Sequence, residues 1–380
     1  MKEKKIYFPN LNGLRFIAAF LVIIHHIEQI KSFFEIDNYW GAAGGIPFIG
    51  IIGKLGVVLF FVLSGFLITY LLLAEEHSFK KISIRQFYIR RILRIWPLYF
   101  LIIVLAFFVL PNFEIFTFPG FEKDVIYSNL LWKLLLYAIF LPNLVLPLLG
   151  IVPYAAHSWS IGTEEQFYLI WPILIKFFKK YRILLMLTII VSYLAFKFFL
   201  QSSFANYLPY KDIIRSFWNL FPIDCMAIGG LYSILLSKKS KLLKYLLRND
   251  LFYFSIFLVA LLMIKGVYIP YIHYEFYSVF FGLIILNFSA NNKIKISLEN
   301  KVLSYLGNIS YGLYIYHPIG IVLAIYISMF IGFNTNWLLY PLSLFLTIIM
   351  AGLSYKYFES YFLKYKNQFS NILSGNAVTK

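Results

Sequence analysis

The stretch LNGLRFIAAFLVIIHHIE, residues 11–28, decides how this chain is read. It is an apolar run interrupted by two ionisable groups, Arg15 and His26, eleven residues apart. At 3.6 residues per turn, eleven residues close almost three turns. Both side chains therefore leave the same helix face, with roughly 16 Å of rise between them. Inside a bilayer each such group costs about 2.5–3.5 kcal/mol unless it faces protein or water. Two of them on one face predict a polar track through a membrane. The competing readings are an interfacial His26 near a helix end and an Arg15 that snorkels to the headgroups. Their shared alignment weakens both, and His25 points about 100° away from that face.

The whole chain has the same character. Of 380 residues, 61% are hydrophobic and 13% charged, against about 25% charged in soluble domains, which makes this a polytopic membrane protein. Its 41 Phe and 30 Tyr suit lipid-facing surfaces and interfacial belts. Lys and Arg outnumber Asp and Glu by 34 to 17. Basic loops on one side of a membrane explain that excess better than a nucleic-acid partner does. The single cysteine, Cys225, excludes an intramolecular disulfide and a cysteine-based metal cage, and no metal site is expected. No phosphate-cradling glycine motif and no H-E-x-x-H is present. MKEKK before an apolar run imitates a signal peptide, but Arg15, His25 and His26 break the run, so a retained first helix is expected.

Apolar segments fall near 11–28, 55–74, 95–111, 126–149, 164–178, 182–200, 217–236, 250–266, 272–290, 303–331 and 337–360. Several approach the ~20 residues a spanning helix needs. Basic clusters occupy 75–95, 176–182, 238–248 and 293–301. Placing all of them in the cytoplasm allows one crossing, not two, between the outer loop at 112–125 and residue 176. Segment 126–149 carries Lys133, Pro142 and Pro147 and is the weaker spanner. It is expected to re-enter or lie along the interface, while 164–178 crosses. The fold class is then all-α, a bundle of about ten spanning helices plus one re-entrant or interfacial segment, with both termini cytoplasmic. A membrane domain over 1–362 and a short polar tail over 363–380 are expected.

Three further stretches carry chemistry. HSWSIGTEEQFYLIWP, residues 157–172, crowds Trp159, Ser160, Glu164 and Glu165 at a helix start. One reading is capping, with Thr163 or Ser160 as N-cap and the carboxylates favoured by the helix dipole. The other is a site in which a carboxylate orients a histidine or binds a sugar hydroxyl, and Trp159 stacks on a sugar. FYIRRILRIWPLY, residues 87–99, aligns Arg91 and Arg94, and Arg90 and Arg94, one turn apart. Such guanidinium groups grip phosphates, or merely anchor the cytoplasmic side. ISYGLYIYHP, residues 309–318, puts Ser310, Tyr314 and His317 on one face, either as substrate contacts or as a hydrogen-bonded seam, with Pro318 loosening the helix beyond them. Asp224 is a buried-looking charge in need of a partner. Ser64 and Gly65 in LSGFLITY read as a helix contact.

Together these stretches, with GVVLFFVLSGFLIT between the first two, resemble the acyltransferase family 3 membrane proteins, bacterial O-acyltransferases that modify surface polysaccharides. The motifs fall in the family's order and span nearly the whole chain. The resemblance implies a ten-helix fold in the inner (plasma) membrane that takes an acyl group, usually acetyl, from cytoplasmic acyl-CoA to a carbohydrate hydroxyl at the outer face. It implies catalysis by His26 with help from Arg15, donor binding by Arg91 and Arg94 with Arg90 beside them, and a role for Glu165 in preference to Glu164. Trp159, Ser160, Glu164, Tyr314 and His317 are the expected substrate contacts. No permanently bound cofactor is expected; acyl-CoA, a carbohydrate acceptor and membrane lipid are the expected partners, with glycan-assembly proteins or a second copy as further ones. Two departures stand out. Many members have an acidic residue where this chain has Val58, and many carry a further soluble domain where this sequence ends at 380. The acyl group then goes straight to the glycan or to a separate outer protein. The rival classes are a transporter or flippase of a glycan precursor, with Arg15 and His26 lining its path, and an inactive assembly scaffold.

Overall fold

The computed structural model describes residues 4–37, 48–332, 336–369 and 372–374. The helices in chain order are α1 (Leu11–Phe33), α2 (Phe48–Phe79), α3 (Ile84–Val104), α4 (Lys123–Tyr127), α5 (Leu130–Ala138), α6 (Pro142–Leu149), α7 (Trp159–Phe177) and α8 (Arg182–Gln201). They continue as α9 (Lys211–Asn219), α10 (Ile223–Ser237), α11 (Leu243–Leu246), α12 (Asn249–Ile264), α13 (His273–Ala290), α14 (Lys301–Asn308), α15 (Ser310–Phe330), α16 (Asn336–Ser354) and α17 (Ser360–Gln368). Helices are the natural outcome for such apolar runs, because a lipid-embedded backbone must satisfy its own hydrogen bonds. Among the described residues, seven helical stretches are long and apolar enough to cross a membrane, including α3 extended to Asn112, α9 with α10, and α16 with α17. The protein is thus a multi-pass membrane protein. Helices α7, α12 and α13 fall outside those seven: α12 has 16 residues, and α7 and α13 carry Glu164, Glu165, His273 and Glu275 in their N-terminal halves.

Segment 126–149 does not form one helix. It breaks at Asn129 and Phe140, both in the left-handed region with φ of 51° and 60°. The buried Lys133 ammonium explains why a charge is tolerated there. It donates to the carbonyls of Val125 at 2.8 Å and Ile126 at 3.2 Å and to Ser128 Oγ at 3.1 Å, closing the end of α4. At the second break, Gln166 of α7 donates to the Phe140 carbonyl at 2.8 Å.

Small residues let α2 and α10 approach closely. A Cβ on Gly65 would sit 1.9 Å from the Met226 carbonyl oxygen, and one on Gly229 would sit 2.1 Å from that of Val62. This is the close-packed interface expected where helices associate by van der Waals contact rather than by a hydrophobic drive.

The basic segments gather at one end of the bundle. Glu76 at the end of α2 pairs with Lys179 at 2.8 Å and Arg182 at 2.6 Å in the α7–α8 turn. Glu299 accepts from the Asn10 backbone at 2.7 Å and from the Tyr7 hydroxyl. Asn249 donates to the Lys293 carbonyl at 3.3 Å, tying the 238–248 cluster to the same end. Both chain ends lie there too: Lys4–Ile6 pairs in parallel with Ile372–Ser374. α17 runs on to Gln368, and Arg90 holds the Phe369 carbonyl at 2.9 Å. At the opposite end the C-terminal part of α1 meets the 113–121 loop, with Phe33 and Phe34 against Phe118.

Candidate active site

A cavity opens at the basic end, with about 170 Å³ of room for water-sized spheres. Five helices line it. α1 supplies Asn12 and Arg15, α2 Ser64, α3 Arg91 and Arg94, and α7 Ser160, Glu164 and Tyr168, while Tyr311 and Tyr314 enter from α15. The start of α1 fixes Arg15. Asn10 is left-handed, φ 67°, and its side chain accepts from the Leu298 backbone at 2.7 Å. One turn on, Asn12 Oδ1 accepts from the Arg15 guanidinium at 2.8 Å.

The floor of the cavity is a buried carboxylate among cations. Glu164 accepts from Ser64 Oγ at 2.6 Å and from the Tyr168 hydroxyl at 3.1 Å. Arg15, Arg91 and Arg94 all lie within electrostatic reach of it. The Arg91 guanidinium lies over two rings that meet edge to face, 5.5 Å from the centre of Phe87 and 5.3 Å from that of Tyr168. Such contact holds a planar cation in place without consuming its donors. Lys366, from α17, lies within reach of Arg15, Arg90, Arg91 and Arg94. With one carboxylate against three lining arginines, the chamber is set up for an anion of several charges.

Some sequence-selected residues stand elsewhere. Arg90 turns away from the cavity, toward the Phe369 carbonyl and Glu75 Oε2, the latter at 3.5 Å. Glu165 accepts from Trp96 Nε1 at 2.9 Å, and its other oxygen is buried without a hydrogen-bond partner. It contacts no histidine, because on a helix the residue after Glu164 points about 100° away. The capping reading of this stretch fails, because α7 begins at Trp159 and takes both Ser160 and Thr163 into its interior. Thr163 Oγ1 donates to the Leu220 carbonyl at 2.6 Å. Trp159 packs edge-on against Phe61, with Lys54 Nζ 5.9 Å from its ring. Asp224 is fully buried and lies against the Glu275 carboxyl, which forms a 2.7 Å ion pair with Lys197.

His26 does not line the cavity. It belongs to a second group, deeper along α1, where four imidazoles meet. Its Nδ1 is 3.0 Å from His317 Nε2. The His157 ring is 5.0 Å from that of His317, and the His25 ring 5.2 Å from that of His26. Tyr314 borders both groups: it lines the cavity, and its ring is 5.8 Å from His317. Its hydroxyl donates to the His157 carbonyl at 2.7 Å, which leaves Ser160 as the donor in their 2.7 Å contact. The polar track on α1 is thus real but divided, with an arginine chamber below Tyr314 and an imidazole cluster above it. Neither Arg15 nor His26 faces lipid.

Sequence reasoning missed Ser64 and Tyr168 as site residues. Tyr168 had a readable signal, since it follows Glu164 by four residues and must share its face. Ser64 had none, because its partner is a hundred residues away.

Comparison with known proteins gives the following. A family model described as an acyltransferase domain matches residues 8–356. The O-acetyltransferase OatA of Staphylococcus aureus is 27% identical over 375 residues, 93% of this chain and 57% of that protein. The putative peptidoglycan O-acetyltransferase YrhL of Bacillus subtilis is 27% identical over 365 residues, 93% of this chain and 54% of that protein. The peptidoglycan O-acetyltransferase OatA of Listeria monocytogenes is 31% identical over 183 residues, 46% of this chain and 25% of that protein. The chain spans about half the length of the relatives it matches end to end. No solved structure matches it.

Proposed function

Because the chain belongs to the acyltransferase-domain family, the acyltransferase family 3 membrane proteins, we propose that it is an O-acetyltransferase of cell-wall carbohydrate that draws acetyl groups from acetyl-CoA. The observation that carries this reading is the cavity of Arg15, Arg91 and Arg94 at the basic end of the bundle, with His26 further along the same helix. The basic end is the cytoplasmic one by the positive-inside rule. Counting α7, α12 and α13 as crossings gives ten, an even number, in keeping with two paired chain ends on that side.

In this reading the arginines bind the phosphates of acetyl-CoA with charge-assisted, forked hydrogen bonds. Glu164 offsets the mutual repulsion of the guanidinium groups when the donor is absent. The thioester arm passes Tyr314, whose hydroxyl gives up its bonds to Ser160 and His157 to let it through. His26 takes the proton of the acceptor hydroxyl while that oxygen attacks the thioester carbonyl. The acceptor is a peptidoglycan-type sugar, as the names of the Listeria and Bacillus relatives suggest, and it approaches from the other side of the membrane.

Purified protein is to be supplied with acetyl-CoA and an N-acetylglucosamine oligosaccharide, reading free thiol and acetylated sugar together. The expected result is stoichiometric release of both, falling about 10²–10⁴-fold in His26→Ala, the usual contribution of a general base. Sugar movement across vesicles without thiol release would identify a transporter and overturn the proposal. Full activity in His26→Ala would remove His26 from it.

A further inference from the structure

α15 runs unbroken through Pro318. In a helix the N–H of residue 318 would donate to the carbonyl of residue 314, and proline has none to give. The Tyr314 carbonyl is therefore short of its helical donor inside the bundle, where an unpaired polar group is costly. His317 supplies the replacement: its Nδ1 lies 2.6 Å from the Tyr314 oxygen. A carbonyl oxygen only accepts, so this contact puts a proton on His317 Nδ1.

His317 is 0% exposed, and among the described residues its hydrogen bonds and ring contacts go to imidazoles, a tyrosine and the carbonyls of Tyr314 and Leu313. With no carboxylate to compensate a charge, it rests as the neutral ring. Its Nε2 then carries a lone pair, and His26 Nδ1, 3.0 Å away, is the donor to it. That leaves the lone pair of His26 on Nε2.

We infer that His317, held by the carbonyl that Pro318 leaves free, is a positioning residue that fixes His26 in its Nδ1–H tautomer and turns Nε2 toward the reactants. The inference rests on the reading of His26 as the base. The reaction then balances as follows. The acceptor O–H gives its proton to His26 Nε2 as its oxygen bonds to the acetyl carbon. The carbon–sulfur bond breaks, and the thiolate leaves with its electron pair and takes the proton from Nε2. His26 Nδ1–H stays bonded to His317 throughout, and the products are the sugar ester and free CoA thiol. His317 thus fills the place that a carboxylate fills behind the histidine of a Ser-His-Asp triad, orienting the ring and selecting its tautomer. It does so without a net charge.

The test pairs kinetics with a tautomer measurement on the full chain in lipid. His317→Leu removes the imidazole acceptor of His26 Nδ1–H and leaves the Val22 carbonyl as the ring's partner on its own helix; it is expected to lower kcat about 10²–10⁴-fold, with KM for acetyl-CoA unchanged, since the arginine chamber is untouched. His317→Gln restores a side-chain acceptor and is expected to recover most of that loss. With six histidines in the chain, nitrogen-15 spectra of wild-type protein are assignable by single substitutions. They should show His26 protonated on Nδ1 and bare on Nε2. A wild-type kcat in His317→Leu, no recovery in His317→Gln, or a His26 proton on Nε2 would each overturn the inference. If His26→Ala is inactive and His317→Leu is not, only the positioning role falls; if His26→Ala is active, both readings fall.

Discussion

Arg15 and His26 were legible because a spacing of eleven residues is a statement about one helix alone. Which of two adjacent carboxylates enters the chamber was not legible, because helix rotation is set by packing and not by sequence spacing. The family resemblance favoured Glu165; the fold gives Glu164 the Ser64 and Tyr168 hydroxyls and sets it among the arginines, and gives Glu165 the Trp96 indole. A difference in function should follow. Replacing Glu164 by Gln removes the negative charge that balances Arg91 and Arg94 while keeping its shape. Donor binding in Glu164→Gln should therefore change by tenfold or more, about 1.4 kcal/mol. Glu165→Gln should leave KM for acetyl-CoA within a factor of a few, because it does not line the chamber. Arg94→Ala should raise that KM about tenfold to a hundredfold, the range for a lost charge-assisted hydrogen bond. Steady-state kinetics with varied acetyl-CoA checks all three. Equal effects in the two glutamine variants would return the choice to Glu165.

Among the elements, long apolar helices were readable from hydrophobicity, and Lys133 and two prolines set 126–149 apart from them; the fold breaks that segment into short helices. The start of α7 was misread by the capping alternative because TEEQ imitates a first turn, whereas the helix opens at Trp159. The small-residue contact in LSGFLITY was readable for Gly65 but hid Ser64, which the same helix turns into the chamber. Gly65 also makes a prediction about stability. Its Cβ-less surface lets the α10 backbone approach, so Gly65→Val forces α2 and α10 apart at a cost of about 1–3 kcal/mol. Gly50, in the same helix, has no atom of the described residues within 4 Å of an added Cβ. Thermal unfolding in detergent should show a clear loss for Gly65→Val and no loss for Gly50→Ala. Equal melting temperatures would mean that the α2–α10 contact is looser than described.

For the molecule as a whole, the fold gathers ion pairs of the basic loops and the pairing of Lys4–Ile6 with Ile372–Ser374 at one pole. The side of the membrane each pole faces follows from the positive-inside rule and is directly testable. Cys225 is fully buried, so single cysteines placed elsewhere report cleanly. In intact cells an impermeant maleimide should label Glu122→Cys and should reach Lys238→Cys only after permeabilisation. The reverse pattern would invert the topology and put the arginine chamber on the outer side. On the proposed function, division of the track at Tyr314 separates two tasks: anion capture at one pole and proton transfer by imidazoles nearer the other. Sealed vesicles containing the protein in one orientation test this most directly, with labelled acetyl-CoA confined to the side of the basic pole and the oligosaccharide confined to the opposite side. Labelled sugar ester should form across the membrane in wild-type protein and be lost in His26→Ala. Ester that forms only when donor and acceptor share one compartment would contradict it.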